Sequence, residues 1–234
     1  MGIDEGHVGA DAPAVLLLHG FGTSAARTWG DNGWIDILGD TGRTVIAPDL
    51  LGHGTAPKPH DPAAYAEIGD LVAAGLPDQP VDAVAFSMGA RILLQLAVEK
   101  PSRFRRLVVA GVGANLLRDG DDSGMIRKAL LGEVDPANPV ARYFADLAKD
   151  PGSDPIALAA LLENHDRPLT PEALATMTCP TLVVLGENDF AGPGEPLVDA
   201  LPDARLVPLP RTDHFATPKD FRFMDATLDF IGAA

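Results

Sequence analysis

Residues 84–91 read VAFSMGAR, and they close a run from Val81 to Phe86 that looks like a buried strand. A serine follows at once, then a helix-like stretch in which Ile92, Leu93, Leu96 and Ala97 share one face. A tight turn from strand to helix grips a serine by its backbone and projects its hydroxyl into a site. Such a turn brings the residues two before and two after the serine close together, so both must be small. Ala85 and Gly89 meet that demand, with Ala85 standing where the usual G-x-S-x-G pattern has its first glycine. The start of a helix also offers free N–H groups and a dipole that favour developing negative charge. Ser87 is therefore a candidate nucleophile. The competing reading is a serine that merely caps its helix.

Outward from this turn, short apolar runs alternate with helix-like segments. Ala14–His19, Thr44–Ala47, Val81–Phe86, Arg106–Ala110, Thr181–Leu185 and Ala204–Pro208 are rich in Val and Leu and mostly lack polar alternation. Strands buried on both faces have this character, which implies a parallel sheet covered by helices. Asp61–Leu76, Met88–Glu99, Glu195–Ala200 and Lys219–Ile231 supply the crossover helices. The pattern predicts a doubly wound, mostly parallel α/β domain. Between Val112 and Thr178 the alternation stops. Helical pieces near Met125–Leu131, Val140–Lys149, Pro155–Asn164 and Pro171–Met177 follow one another there. This reads as a helical cap, residues 112–178, inserted into a core formed by residues 1–111 and 179–234.

The chain has 234 residues, 46% hydrophobic, enough for one domain with an insertion. Its formal charge of −15 disfavours nucleic acid and anionic membrane surfaces as partners. The one cysteine, Cys179, permits no intramolecular disulfide and reads as a small core residue. Met1 to Glu5 carry no signal-like pattern, and no apolar run approaches the roughly 20 residues of a membrane span. A soluble cytoplasmic protein is expected.

A serine hydroxyl needs a base, and the base needs an orienting acid. In this topology the order is serine, acid, histidine. Two histidines follow Ser87: His165, in the helical region, and His214, in the polar loop Arg211 to Phe215 after the last strand. Reactive groups gather at the carboxyl ends of strands, so His214 is preferred as base. The acid should close another strand. Gly111 to Asn115 hold no carboxylate, whereas Gly186-Glu187-Asn188-Asp189-Phe190 hold two, with Asp189 preferred and Glu187 second. The backbone N–H groups of Met88 and Phe21 are the candidate oxyanion donors, Phe21 lying in His19-Gly20-Phe21-Gly22. His19 is read as a brace for that loop.

Taken together, LLLHGFG, APDLLGHG, AFSMGAR, VLGENDF and TDHF fall in the order and spacing of the α/β-hydrolase superfamily. The chain resembles its helical-cap branch of small esterases, C–C bond hydrolases and lactonases. That resemblance implies an α/β-hydrolase fold, a structural role for Asp49, and no cofactor or metal. Room for one edge strand before Ala14 gives a sheet of about seven strands. A serine at the nucleophile position disfavours the dehalogenase and epoxide hydrolase activities of the superfamily, which use Asp there.

The expected activity is hydrolysis of a small, mainly apolar ester through an acyl-enzyme. C–C, lactone, thioester or perhydrolase chemistry on the same triad is the alternative, and a slow-turnover ligand sensor is the alternative of another class. Gly20, Trp29, Leu117, Phe144 and Phe215 are candidate substrate contacts. Asp119 to Gly124 resemble the opening of a calcium loop, but Leu130 stands where a bidentate Glu is required. Gly111-Val112-Gly113 lacks the later glycine of a dinucleotide fingerprint.

Overall fold

The computed structural model describes residues 12–118, 123–133, 137–150, 152–163 and 169–233. Six parallel strands form one sheet: β1 (Val15–Leu18), β2 (Val45–Ile46), β3 (Val81–Phe86), β4 (Phe104–Ala110), β5 (Thr181–Gly186) and β6 (Ala204–Leu209). Their spatial order is β2-β1-β3-β4-β5-β6. Six strands lie among the described residues against about seven expected; the edge strand expected before Ala14 falls largely outside them.

The apolar strands are covered on both sides. Leu16, Leu18, Ala83, Ala85, Leu107, Val109 and Val183 pack into one core, with Ile92, Leu93 and Leu96 of α3 (Met88–Glu99). Val15, Leu17, Val84, Phe86, Val108, Ala110, Leu182 and Val184 pack into the other. There they meet Trp34 and Leu38 of α1 (Trp34–Asp40) and Phe223, Met224 and Ile231 of α9 (Phe221–Ile231). Successive residues of a strand point to opposite faces, so an unbroken apolar run is what this double cover requires. The order reverses between β1 and β3: β1 leads to the β2 edge and β3 to β4. The crevice at the carboxyl ends of β1 and β3 is thus a topological switch point.

The segment expected as one helix over 61–76 is divided into a 3-10 turn, Pro62–Tyr65, and α2, Ile68–Ala74. Glu67 between them has φ −118° and ψ 32°, outside the helical region. The Tyr65 hydroxyl donates to Pro59 O at 2.7 Å and ties the first turn back to the preceding loop. Helix α1 and a π turn at Ala26–Gly30 were not anticipated; both are short, and Gly33 separates them in a left-handed conformation, φ 77°.

Between β4 and β5 lie α4 (Ser123–Leu130), α5 (Pro139–Leu147), α6 (Pro155–Glu163) and α7 (Pro171–Leu174). Their starts follow capping chemistry. Asn138 accepts from the amides of Val140 and Ala141 at 2.9 and 3.1 Å, with Pro139 at the first helical position. Thr170 does the same for α7 through the Ala173 amide. Helix α6 is buried from Ala157 to Leu162 and packs against α4 and the Pro62–Tyr65 turn. Helix α8 (Glu195–Ala200) returns the chain from β5 to β6. His165, and Asp119 to Asp122 of the calcium-like stretch, lie outside the described residues.

Candidate active site

Ser87 stands between β3 and α3 with φ 54° and ψ −116°, a conformation costly for any residue with a side chain. Its N–H donates to Ala110 O at 2.8 Å, and its carbonyl accepts from Arg91 N at 3.1 Å, in the first turn of α3. The side chain makes no capping bond to the helix, so the capping reading is not realised. The turn is tight enough to fix its neighbour. A Cβ at Gly89 would lie 2.5 Å from His19 O and 2.6 Å from Leu18 O, the first carbonyl of the loop and the last of β1. Ala85 is fully buried in β3, and its methyl is accommodated.

The Ser87 hydroxyl faces His214. Nε2 lies 3.0 Å from Ser87 Oγ, and Nδ1 lies 2.9 and 3.0 Å from the two carboxylate oxygens of Asp189. A proton on Nδ1, donated to the carboxylate, leaves Nε2 as the acceptor facing the hydroxyl. The Asp189 side chain is wholly buried, and its Oδ1 also accepts from Ala191 N at 2.9 Å. Close passage of two loops makes this meeting possible: a Cβ at Gly186 would lie 2.3 Å from Thr212 O. Glu187, the second candidate acid, is exposed and accepts from Arg211 N at 3.1 Å. That bond braces the turn in which Arg211 takes a φ of 62°.

The loop after β1 is held from beneath. His19 Nδ1 donates to Gly20 O at 2.8 Å, and Nε2 accepts from Leu50 N at 3.0 Å. Burial lowers the pKa of His19, which suits this neutral, two-ended brace. Asp49 accepts from Ala25 N at 2.8 Å, from Thr55 N at 2.7 Å and from the Thr55 hydroxyl at 2.9 Å. Burial works to raise the Asp49 carboxyl, but these bonds outweigh it and hold it below the usual carboxylate range. Phe21 N–H and Met88 N–H belong to residues in the wall beside Ser87. Met88 opens α3, so its N–H has no acceptor within the helix.

A cleft of about 650 Å³ opens over Ser87 and His214. Of the candidate substrate contacts, Phe144 and Phe215 line the cleft and three others do not. Trp29 is fully buried, packed edge-on to Trp34 with centroids 5.2 Å apart, because its ring completes the core beneath the π turn. Leu117 packs on the other core, and its neighbour Leu116 takes the place in the wall. Gly20 sits behind Phe86, where a Cβ would lie 3.0 Å from that ring. Leu147, which the sequence left open between facing a pocket and holding the helical insertion on the core, lies in the wall, and sequence reasoning missed Tyr143, Phe190 and Arg27 there. Phe190 had a signal, its place next to the candidate acid. Arg91 and Lys219 also reach the wall, and Arg27 pairs with Asp150 at its rim at 2.5 Å. Cys179 is buried in the core, and burial pushes its thiol pKa up. Among the described residues, no cluster of His, Cys, Asp and Glu is arranged to hold a metal ion, and no helix is long and apolar enough to cross a membrane.

A model of the alpha/beta hydrolase family matches residues 15–224. The chain belongs to the alpha/beta hydrolase family. Within it, the chain is 30% identical over 231 residues to a pimeloyl-(acyl-carrier protein) methyl ester esterase of Neisseria meningitidis, covering 86% of this chain and 85% of that protein. It is 38% identical over 110 residues to an uncharacterized protein of Mycobacterium tuberculosis, 45% of this chain but only 31% of that protein's length. Its fold is similar to that of a 2-hydroxy-6-oxo-6-phenylhexa-2,4-dienoate hydrolase of Rhodococcus, with TM-score 0.71, 23% identity, and 95% and 91% of the two chains covered. Hydrolytic enzymes of this family thus share both its sequence and its architecture.

Proposed function

We propose that this hydrolase cleaves a small, mainly apolar ester through an acyl-enzyme, with Ser87 as nucleophile, His214 as base and Asp189 as the acid that orients it. The observation that carries this reading is the continuous chain of hydrogen bonds from Asp189 through His214 to Ser87 Oγ. His214 Nε2 takes the hydroxyl proton as Oγ bonds to the ester carbonyl carbon. The carbonyl oxygen becomes an anion held by the amides of Phe21 and Met88. His214 then gives that proton to the leaving alkoxide as the ester C–O bond breaks. Water enters, loses a proton to Nε2, and releases the acid by the same steps in reverse.

Phe144, Leu147, Leu116 and Phe215 in the cleft wall favour an apolar acyl group. Residues 112–178 act as the cap that supplies part of this wall. The esterase relative supports ester chemistry in particular. The substrate is a small molecule met in the cytoplasm, and no cofactor takes part.

The test is turnover of p-nitrophenyl esters of increasing acyl length, with a fluorophosphonate label mapped to its residue. Multiple turnovers and a label on Ser87 are expected. Ser87→Ala should lower kcat by about 10⁴-fold or more with the fold intact. A single stoichiometric burst, or a label elsewhere, would refute the assignment.

A further inference from the structure

The apolar wall of the large cleft is graded by burial. Its aliphatic members, Leu116, Leu162, Ile126 and Leu147, are buried or partly buried. Its exposed apolar members are all aromatic: Tyr143 at 37%, Phe190 at 54% and Phe215 at 42%. The other large apolar side chains exposed among the described residues, Leu71, Leu131, Ile156 and Phe221, take no part in that wall. Aromatic residues make up only 6% of the sequence, yet five of the nine phenylalanines and one of the two tyrosines line this cleft.

The three exposed rings touch one another and His214. Tyr143 and Phe215 stack with centroids 4.0 Å apart and planes 31° apart. Phe215 stands edge-on to the imidazole, and Phe190 covers one of its faces. Phe190 and Phe215 lie 6.0 Å apart with planes at 53°. Aromatic rings pair edge-on or offset at about 4.5–7 Å between centroids. A further flat ring can meet Phe190 and Phe215 together within that range, where their exposed surface borders the cleft. A group that exchanges a proton with His214 lies about 3 Å from Nε2. A ring one or two carbons from the ester linkage therefore falls beside these side chains.

Aromatic faces also suit a cationic head, but the charges of the wall do not select one. Arg27, Arg91 and Lys219 share it with Asp146 and Asp150. Asp150 is engaged by Arg27 and Asp146 by Lys149, so neither sign dominates. We propose that the substrate is a neutral ester carrying an aromatic ring one or two carbons from the ester bond, recognised by Phe190, Phe215 and Tyr143. This rests on the reading of the enzyme as an ester hydrolase and narrows its substrates to arylalkyl esters.

The test compares kcat/KM within two matched ester pairs: benzyl acetate against cyclohexylmethyl acetate, and methyl phenylacetate against methyl cyclohexylacetate. The members of a pair share a skeleton and differ in the π faces of the ring. Cyclohexyl is the more apolar ring, so a merely hydrophobic wall ranks each pair the other way. The expected result is a preference of about 3- to 10-fold for the aromatic member of at least one pair, and that pair identifies the end of the ester that carries the ring. Phe215→Leu keeps an apolar side chain and should bring the ratio below about two. Tyr143→Leu should lower the ratio and Tyr143→Phe should keep it. A ratio taken within one variant cancels any loss of folded protein. No aromatic preference in either pair, an unchanged ratio in Phe215→Leu, or faster turnover of acetylcholine or monomethyl adipate than of the aromatic esters would overturn the proposal. Binding of the same pairs is read by calorimetry in Ser87→Ala. An aromatic preference in binding there, without turnover of any ester by the parent, would sink the hydrolase reading and leave the ring site standing. Turnover without aromatic preference would do the reverse.

Discussion

Phe190 stacks on the imidazole of His214, with ring centroids 4.2 Å apart and planes 34° apart, although it is itself 54% exposed. An aromatic side chain left half in water calls for a reason, and the contact supplies one. Phe86 lies 4.9 Å from the same imidazole, and Phe215 stands edge-on to it at 5.4 Å. The imidazole is thus held between aromatic rings and shielded where it bonds to Asp189. Contacts of this kind contribute about 0.5–1.5 kcal/mol. Phe190→Ala is expected to lower kcat/KM by about 3- to 10-fold, with little loss of stability because the ring is not part of the core. Leu at this position should recover only part of the loss, since it restores the cover without the aromatic face. Equal activity of Ala, Leu and Phe in a kcat/KM comparison would deny the contact any role.

Gly89 is set by the approach of β1, not by the flexibility of the helix. A Cβ there would meet the carbonyls of His19 and Leu18 well inside contact distance, and backbone cannot swing aside as a side chain can. Gly89→Ala should cost about 1–3 kcal/mol of stability and displace Ser87 from His214. Urea unfolding and ester turnover should both report it, with kcat falling by about 10²-fold or more. Ala85→Gly is the control. It relaxes the opposite flank of the turn and should leave turnover within about a factor of three of the parent.

The strands were legible because burial on both faces writes itself as unbroken Val and Leu. Asp82 is the one polar residue within β3, and the apolar pattern around it was strong enough to carry the strand through. The serine turn and the loops at the strand ends were legible because the backbone there tolerates few residue types, Gly89 above all. The cleft wall was not. Trp29 and Tyr143 are both large aromatic residues, yet one fills the core under a π turn and the other lines the cleft. That choice is made by tertiary packing, which neither periodicity nor spacing encodes. Leu116 and Leu117 show the same limit at a resolution of one residue, since a 3-10 turn at Ala114–Leu117 decides which of them faces the cleft.

Asp189 and Glu187 can be separated by isosteric substitution. In Asp189→Asn the amide can donate toward His214 Nδ1 and so favours the tautomer with its proton on Nε2. That proton would point at Ser87 Oγ and remove its base. A loss of about 10⁴-fold in kcat is expected, with the packing preserved. Glu187→Gln should change kcat by less than about threefold, because its carboxylate serves only the Arg211 turn. Comparable losses in the two variants would mean that the acid has been misassigned.

Stability should fall on mild acidification because of two histidines outside the proposed chemistry. His19 and His53 are both held neutral, chiefly by burial, and His53 is lowered from 6.5 to about 3. Below pH 6.5 the unfolded chain takes up protons at these positions while the native state refuses them. The unfolded state then binds more protons, so stability is highest above that pH and drains away as the pH falls toward 3. The slope is at most about 1.4 kcal/mol per pH unit for each proton. Urea midpoints between pH 7 and pH 4.5 should decline, and His53→Gln should make the decline shallower. An identical slope in that variant would show that His53 titrates normally in the native state.

Asp82 occupies the opposite end of β3 from Ser87 and holds an ion cluster under the sheet. Its side chain is fully buried, and Oδ2 is bonded by both Arg43 and Arg105. Arg43 also donates to Pro13 O at 2.6 Å and Arg105 to Ile231 O at 2.9 Å, so the cluster ties the start of β1 and the end of α9 to the central strand. Asp82 Oδ1 has no partner, which marks the arrangement as costly to desolvate and weak as a net source of stability. Removing one member is another matter. Asp82→Ala strands the Arg43 guanidinium, whose side chain is 4% exposed, and should destabilise the fold by about 3–5 kcal/mol. Arg105→Ala should cost much less, because its side chain is 35% exposed and water can replace it around the pair that remains. Ser87 lies five residue steps along the chain from Asp82, roughly 16 Å. Whatever fraction of Asp82→Ala remains folded at low temperature should therefore turn over esters at the parental rate per folded molecule. A kcat that falls further than the folded fraction would mean that strain at the base of β3 reaches the serine turn.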